Sequence, residues 1–410
     1  MEVLHARCAG LDVHRDTVVA CARIVEDKTV HHYVEQFGTT TVELRRLREW
    51  LSGHGCTHIV MEATGVYWKP VWNVLYGGCE LLLANAAHVK NVPGRKTDVN
   101  DATWLADLLA HGLVRASFVP DKPLQELRSL LRTRKQLVRE KAQHVQRIEK
   151  TLQDANIKLT SCISDIMGQS GRAMLQALIE GETEPERLLT LASSRLKAPR
   201  SEILEALRGH VTPHHRFLLR LHLEQIVHLE AAIASLDEEV GHGLDPFRTQ
   251  VAVLKTIPGV SDLMAQVIVT EIGTDMSRFP TVGHLLSWSG LCPRNDESAG
   301  KRRSTRLRKG APWLKTQLVQ AAWCATRAKN TYLRAQFLRL KARRGPRKAI
   351  MAVAASILCA AFHMLRSNVA YQDLGPDYFD RLEHGKLLRR LVHKIEHLGY
   401  AVTLTVPPAA

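Results

Sequence analysis

Residues 9–37 read AGLDVHRDTVVACARIVEDKTVHHYVEQF, and this stretch decides the fold of the N-terminal part. Ala9–His14 and Thr17–Val25 are apolar runs split by the polar His14–Asp16, which predicts a hairpin of two strands. Val30–Phe37 supplies a third strand. The pattern then turns helical, with Val42, Leu44, Leu47 and Leu51 of Thr41–Ser52 spaced along one face. His58–Ala63 and Leu81–Ala86 are short apolar runs suited to buried strands, and Pro70–Leu75 between them reads as helix. After the turn at Pro93-Gly94, Asp98–His111 carries Ala102, Leu105, Leu108 and Leu109 at helical spacing. Three consecutive strands, then strands alternating with helices, predict an α/β mixed-sheet domain over residues 1–118.

The remainder reads as all-α. In residues 119–250, Leu124, Leu131, Val138, Val145 and Leu152 recur every seven positions. Leu219, Ile226, Ile233 and Val240 repeat the pattern, with Leu229 and Leu236 on the adjoining row. Such seams suit helices that pair with each other, within one chain or between two, as a coiled-coil-like linker or oligomerisation region. Arg134 and Lys141 interrupt the second row of the first seam. Residues 251–372 form a further helical block with two loops rich in Gly and Pro, and residues 373–410 a tail with a basic helix at Lys386–Lys394.

Charge is placed as tellingly as hydrophobicity. The 410 residues carry a formal charge of +15. Ser298–Gln372 alone holds 17 Lys and Arg with no acid, whereas the rest of the chain is close to neutral. A solvated face normally intersperses both signs, so this segment points to a polyanion, with nucleic acid the leading partner. An apolar content of 45% without low-complexity tracts argues against a disordered ground state. Eight widely spaced cysteines with no C-x-x-C indicate neither a zinc site nor a disulfide framework, and the start of the chain has no signal-peptide pattern. A cytoplasmic protein is therefore expected. The longest apolar run, Ala349–Leu365, is short for a membrane span and contains His363, so it reads as a buried helix and no membrane partner is expected.

Four acids in the first block stand out. Asp12 lies inside the first apolar run, Glu62 closes the fourth, and Asp98 and Asp101 are spaced i, i+3 at the start of the last expected helix. Asp107 points elsewhere by helical arithmetic, roughly 240° round from Asp101. Acids that converge over a sheet repel unless cations lie among them, and Mg²⁺ held by carboxylates, two ions per site, is the usual solution for phosphate chemistry. Each acid also has an ordinary role open to it: N-cap for Asp98, first-turn dipole partner for Asp101, surface end for Glu62, turn residue for Asp12. Lys90, Arg95 and Lys96, just before the acidic helix, suit backbone phosphates or a solvated loop. Leu254–Ser261, LKTIPGVS, resembles a helix-hairpin-helix whose turn at Gly259 and Ser261 would offer N–H groups to a phosphate, or else is a plain helical corner. Ser298 sits in a Gly-containing turn where the acid-free segment begins, followed by Lys301, Arg302, Arg303, Arg306, Arg308 and Lys309. These bases read as phosphate contacts or as basic surface.

Taken together, Gly-Leu-Asp12-Val-His, Met-Glu62-Ala-Thr-Gly-Val-Tyr-Trp, Lys-Thr-Asp98-Val-Asn-Asp101-Ala, Ile-Pro-Gly259-Val and Glu-Ser298-Ala-Gly-Lys closely resemble, in order, the motifs of the DEDD transposases of IS-one-ten insertion sequences, in their IS-eleven-eleven branch. The resemblance covers about residues 8–118 and 250–325, while the helical middle matches in character. It implies a RuvC-like, RNase H-type first domain with Asp12, Glu62, Asp98 and Asp101 as its metal-binding tetrad. It also implies a last domain in which Ser298 attacks DNA and holds a transient phosphoserine link. Relatives of this kind pair a noncoding bridge RNA with donor and target DNA and assemble as tetramers built from dimers. One active site then combines the RuvC-like domain of one subunit with the serine domain of another. The competing expectations are a RuvC-like hydrolytic nuclease without a covalent intermediate, and a nucleic-acid packaging protein whose acids are structural.

Overall fold

The computed structural model describes residues 2–63, 65–85, 89, 100–293, 296–298, 300–304, 307, 310–382 and 384–404, with backbone alone at 296–298, 302, 303, 384, 386 and 387. The chain divides into two compact units, residues 1–119 and 120–410.

The first unit is built on a five-stranded mixed sheet of order β3-β2-β1-β4-β5. Its strands are β1 (Arg7–Val13), β2 (Thr17–Glu26), β3 (Thr29–Gly38), β4 (His58–Glu62) and β5 (Glu80–Ala84). The expected hairpin forms, with Leu11 opposite Ala20 and Asp12 opposite Val19. β2 and β3 are also antiparallel, joined by Asp27 and Lys28, both at positive φ, the two-residue turn whose twist suits a hairpin. β4 and β5 then run parallel to β1, with Leu11 beside Met61 and Met61 beside Leu83.

Alternation along the strands sends two sets of side chains to opposite faces. Ala9, Leu11 and Val13, with Ile59 and Met61, pack against Leu44, Leu47 and Leu51 of α1 (Thr41–Gly53) and Val71 and Leu75 of α2 (Trp68–Leu75). Cys8, Val60 and Ala84 face Leu105, Leu108 and Leu109 of α3 (Asp101–Ala110) on the other side. Gly10 belongs to this second face. A Cβ there would lie 2.1 Å from the Ala102 carbonyl oxygen and 2.5 Å from the Ala106 nitrogen. The backbone of α3 therefore rests directly on β1, a closeness that only a residue without a side chain permits.

α3 starts later than its hydrophobic pattern suggests. Asn100, not Asp98, is its N-cap, its Oδ1 accepting from the Ala102 N–H at 2.9 Å. Asp101 is the first residue of the helix, and Asp98 lies outside the described residues. Asp107 points away as expected: it accepts from Arg23 Nε at 2.9 Å and contacts His32 Nε2 at 3.2 Å.

The second unit is largely helical. α4 (Lys122–Asp154) and α6 (Pro213–Gly243) pair antiparallel within the chain. Their heptad seams do meet: Leu152, Leu219 and Ile226 are buried with Ile148 in one cluster. Arg134 and Lys141, the interruptions in the first seam, are matched across it by Asp237 and by Glu230, the latter at 3.2 Å. Between the two long helices, α5 (Gln169–Glu180) and short helices at Pro185–Thr190 and Arg200–Ala206 cap one end of the pair through Met174, Leu178, Leu188 and Ile203.

The chain continues through α7 (Arg248–Leu254), α8 (Asp262–Ile272) and α9 (Val282–Trp288), then a small hairpin of β6 (Asp296–Ser298) and β7 (Lys301–Ser304). α10 (Pro312–Ala325), α11 (Tyr332–Arg344), α12 (Pro346–Ser367) and α13 (His384–His397) follow. By length and composition α12 passes for a membrane span, the one such helix among the described residues. It packs against α7, α9, α10 and α11 and buries Ala349, Val353, Ile357 and Ala361, so it serves as the core of this block, as its sequence predicts. α8 is locked to α4 by a buried acid. Glu271, 3% exposed, takes a two-pronged contact from Arg132 at 2.9 Å on each oxygen, and Arg128 donates to its backbone carbonyl at 2.6 Å. Burial pushes the Arg128 guanidinium down to about 10, opposed by Glu271, and it keeps its charge at neutral pH.

Two stability predictions follow from these contacts. Gly10→Val must push α3 off the sheet, and we expect roughly 1–3 kcal/mol of destabilisation, read as a lower midpoint of thermal unfolding. Glu271→Ala leaves Arg128 and Arg132 facing one another without a counter-charge, with an expected loss of about 3–5 kcal/mol in denaturant unfolding; an unchanged midpoint would show the triad to be unimportant.

Candidate active site

Asp12 is the penultimate residue of β1 and follows Gly10 by two, so it lies on the α3 face of the sheet. Glu62 ends β4 two residues after Val60, which packs on α3, and therefore projects from the same face. The parallel register that pairs Leu11 with Met61 places Asp12 and Glu62 side by side at the next position. Asp101 opens α3, whose first turn is pressed onto Gly10. Three of the four predicted acids thus occupy one face and one end of the sheet, where two parallel strands finish and a helix begins. Asp98 lies outside the described residues, as do Lys90, Arg95 and Lys96.

The donor set is made of carboxylate oxygens, which suits a hard divalent cation better than zinc or copper. Among the described residues, no three His, Cys, Asp or Glu side chains gather closely enough to hold a metal. A residue that the sequence reading passed over also reaches this site. His14 Nε2 lies 3.2 Å from Asp12 Oδ2. The signal for it was the D-x-H spacing, which returns a strand side chain to the face it left two residues earlier.

The predicted nucleophile belongs to the second unit. Sequence reading puts Ser298 in a flexible turn; the structure puts its backbone at the end of β6, paired with Lys301 across residues 299 and 300. Gly300, at φ +71°, provides the left-handed step that so short a connection requires. Glu297 pairs with Arg302, and Arg303 continues β7. Arg306, Arg308 and Lys309 lie outside the described residues. The stem is closed by a bridge between Pro293 and Leu307 and, below it, by backbone contact: a Cβ on Gly310 would stand 2.3 Å from the Gly290 nitrogen.

Gly259 and Ser261 turn out to be held by packing. Gly259 has φ +85°, and a Cβ on it would come 2.4 Å from the Ala325 nitrogen and 2.5 Å from the Ala321 carbonyl oxygen of α10. Ser261 is the N-cap of α8, its Oγ accepting from the Met264 N–H at 3.2 Å. These are the contacts of a helical corner, and they are compatible with N–H groups offered to a phosphate at the start of α8.

Comparison with known proteins finds two family models along the chain. A transposase family model of the DEDD type in IS110 (IS-one-ten) elements matches residues 9–157, and the model described as "Transposase IS116/IS110/IS902 family" matches residues 251–338. The chain is similar to the transposase for insertion sequence element IS1111A of Coxiella burnetii, 24% identical over 359 residues, which is 84% of this chain and 85% of that one. It also resembles an uncharacterized 43.6 kDa protein of the insertion element IS110 of Streptomyces coelicolor, 32% identical over 157 residues, 37% of this chain and 36% of that one. With one family model on the acidic block and another on the basic one, the chain belongs to the IS110 family of transposases, enzymes of DNA transposition that use a divalent metal in a DEDD domain.

Proposed function

We propose that this transposase cuts and rejoins DNA through Ser298, at a site where Asp12, Glu62, Asp98 and Asp101 hold Mg²⁺, in a pair of ions. The observation that carries the reading is the placement of Asp12, Glu62 and Asp101 on one face and one end of the sheet. The strand order, antiparallel through β3-β2-β1 and parallel through β1-β4-β5, supports a RuvC-like, RNase H-type assignment for residues 1–118. Bound there, Mg²⁺ would supply Lewis-acid polarisation of the scissile phosphate and charge neutralisation for the leaving oxygen.

The chain's own residues do the rest. His14 holds one oxygen of Asp12 and leaves the other free to turn toward a ligand. Ser298 Oγ bonds to the scissile phosphorus as the bond to the departing deoxyribose oxygen breaks, and the serine proton passes in net terms to that oxygen, leaving a phosphoserine and a free hydroxyl. A hydroxyl from the second strand then displaces Ser298 and completes the exchange. Lys301, paired beside Ser298 and exposed, attracts the phosphate, and Arg302, Arg303, Arg306, Arg308 and Lys309 extend that field along the DNA. Lys90, Arg95 and Lys96, which precede Asp98 and Asp101 in sequence, would do the same. Guidance by a noncoding bridge RNA, and a tetramer in which the carboxylates of one subunit meet Ser298 of another, complete the reading. Its support is family membership and the separation of acids and nucleophile into different compact units.

Ser298→Ala is expected to abolish covalent protein–DNA adducts on denaturing gels while binding DNA as wild type does; adducts that persist overturn the nucleophile. If Ser298→Ala still cuts, the hydrolytic, resolvase-like mechanism replaces strand exchange. Asp12→Asn, or removal of Mg²⁺ with a chelator, should lower cleavage by at least about 100-fold without loss of DNA binding, and undiminished cleavage would remove the metal from the mechanism.

A further inference from the structure

A cavity of about 590 Å³ lies within the second unit, between α4, α8 and α10, away from the Ser298 hairpin's own residues. Its apolar lining comes from the buried Leu131 and Val267, the more exposed Val138 and the ring of Trp313. Its rim carries Lys135 and Arg139 on one side and Thr316, Gln317 and Gln320 on the other. No carboxylate lines it among the described residues. Arg134 also reaches the rim, but Asp237 neutralises it. Among the described residues Lys135 and Arg139 have no such partner, and burial and the neighbouring Arg139 hold the Lys135 ammonium below its ordinary value. Two cations already address the Trp313 ring, Arg132 at 5.6 Å and Lys135 at 5.7 Å from its centroid.

The combination is chemically specific. A half-buried aromatic ring offers a stacking surface that any base can use, and the amides and hydroxyl beside it can meet base edges. An uncompensated pair of cations on the rim favours a phosphate. A volume of this size suits one or two nucleotides rather than a duplex, whose bases are stacked on each other and closed to an aromatic side chain. The geometry points to a binding site for an unpaired nucleotide strand, its base on Trp313 and its phosphate between Lys135 and Arg139. This rests on the reading of the chain as a nucleic-acid enzyme and adds a site distinct from the carboxylates and Ser298.

The test uses the full chain, with fluorescent oligo(dT), oligo(U) and a mixed-sequence duplex as probes, and a 2-aminopurine version of the single strand to report stacking. Trp313→Ala should weaken single-strand binding by about 10-fold or more and abolish 2-aminopurine quenching, whereas Trp313→Phe retains most of both. The Lys135→Ala/Arg139→Ala pair, on the rim and outside the core, should weaken single-strand binding and make it less sensitive to salt. Duplex binding should stay within about 2-fold of wild type for all variants. The preference between oligo(U) and oligo(dT) identifies whether the occupant is RNA or displaced DNA, and either supports the site. Single-strand binding unchanged in Trp313→Ala and in the rim pair would overturn it, as would an equal loss for duplex and single strands. Wild-type protein that binds duplex but no single strand also overturns it, while protein that binds neither overturns the underlying nucleic-acid reading instead.

Discussion

The missing side chain at Gly10 governs the first unit. With any other residue there, α3 would have to stand away from β1, because the Ala102 carbonyl and the Ala106 nitrogen already occupy the space of a Cβ. The contact fixes the height and the axial position of α3 over the sheet together. Asp101, one residue from Ala102, inherits that precision, and Asp12, two residues from Gly10, shares the strand on which it is set. The buried neighbours Cys8, Cys21, Ala102 and Ala106 are small for the same reason, since nothing larger fits between a helix and a sheet in backbone contact. The role proposed for these carboxylates calls for positions held to fractions of an ångström, and a backbone-to-backbone contact has fewer degrees of freedom than one between long side chains.

The second unit solves a different problem. Two long helices must stay in register along a seam whose apolar rows are incomplete. Charge pairs fill the gaps: Arg134 with Asp237, and Lys141 and Arg172 both on Glu230. These pairs are partly exposed and contribute little stability each, but each is satisfied only in one alignment, so they select the register that the Leu and Ile positions then bury. The Glu271 triad extends the same logic to α8, where the acid is fully buried and the alignment correspondingly strict.

Much of this was legible in the sequence, and the exceptions have identifiable causes. Strands β1 to β5 stand within a few residues of the apolar runs that announce them, because each is buried on at least one face and the pattern of burial is the pattern of hydrophobicity. The heptads at Leu152, Leu219 and Ile226 announced the helical pair equally well. The start of α3 differs from the sequence expectation because apolar spacing cannot see a cap: Asn100 opens the helix with one hydrogen bond that no periodicity reports. The hairpin of β6 and β7 was missed because its residues, Asp296–Ser298 and Lys301–Ser304, are polar on both strands and leave no alternation to read. Two roles stay open for Gly259 in sequence because a glycine at positive φ looks the same whether it serves the packing of a neighbouring helix, as its contacts with α10 show, or a phosphate as well. His14 escaped notice because it lies one residue past the strand, although its contact with Asp12 follows from the same alternation that placed the acid.

The closure at Gly290 and Gly310 separates two properties that usually travel together. With its stem clamped by main chain rather than by side chains, the segment between them behaves as a loop whose ends are already joined, so the entropy of closing it is met outside the segment itself. A substitution at the tip, Ser298 included, is then expected to alter what the tip touches without loosening the helices beneath. The chemistry proposed for the tip and the stability of its base can therefore be altered independently.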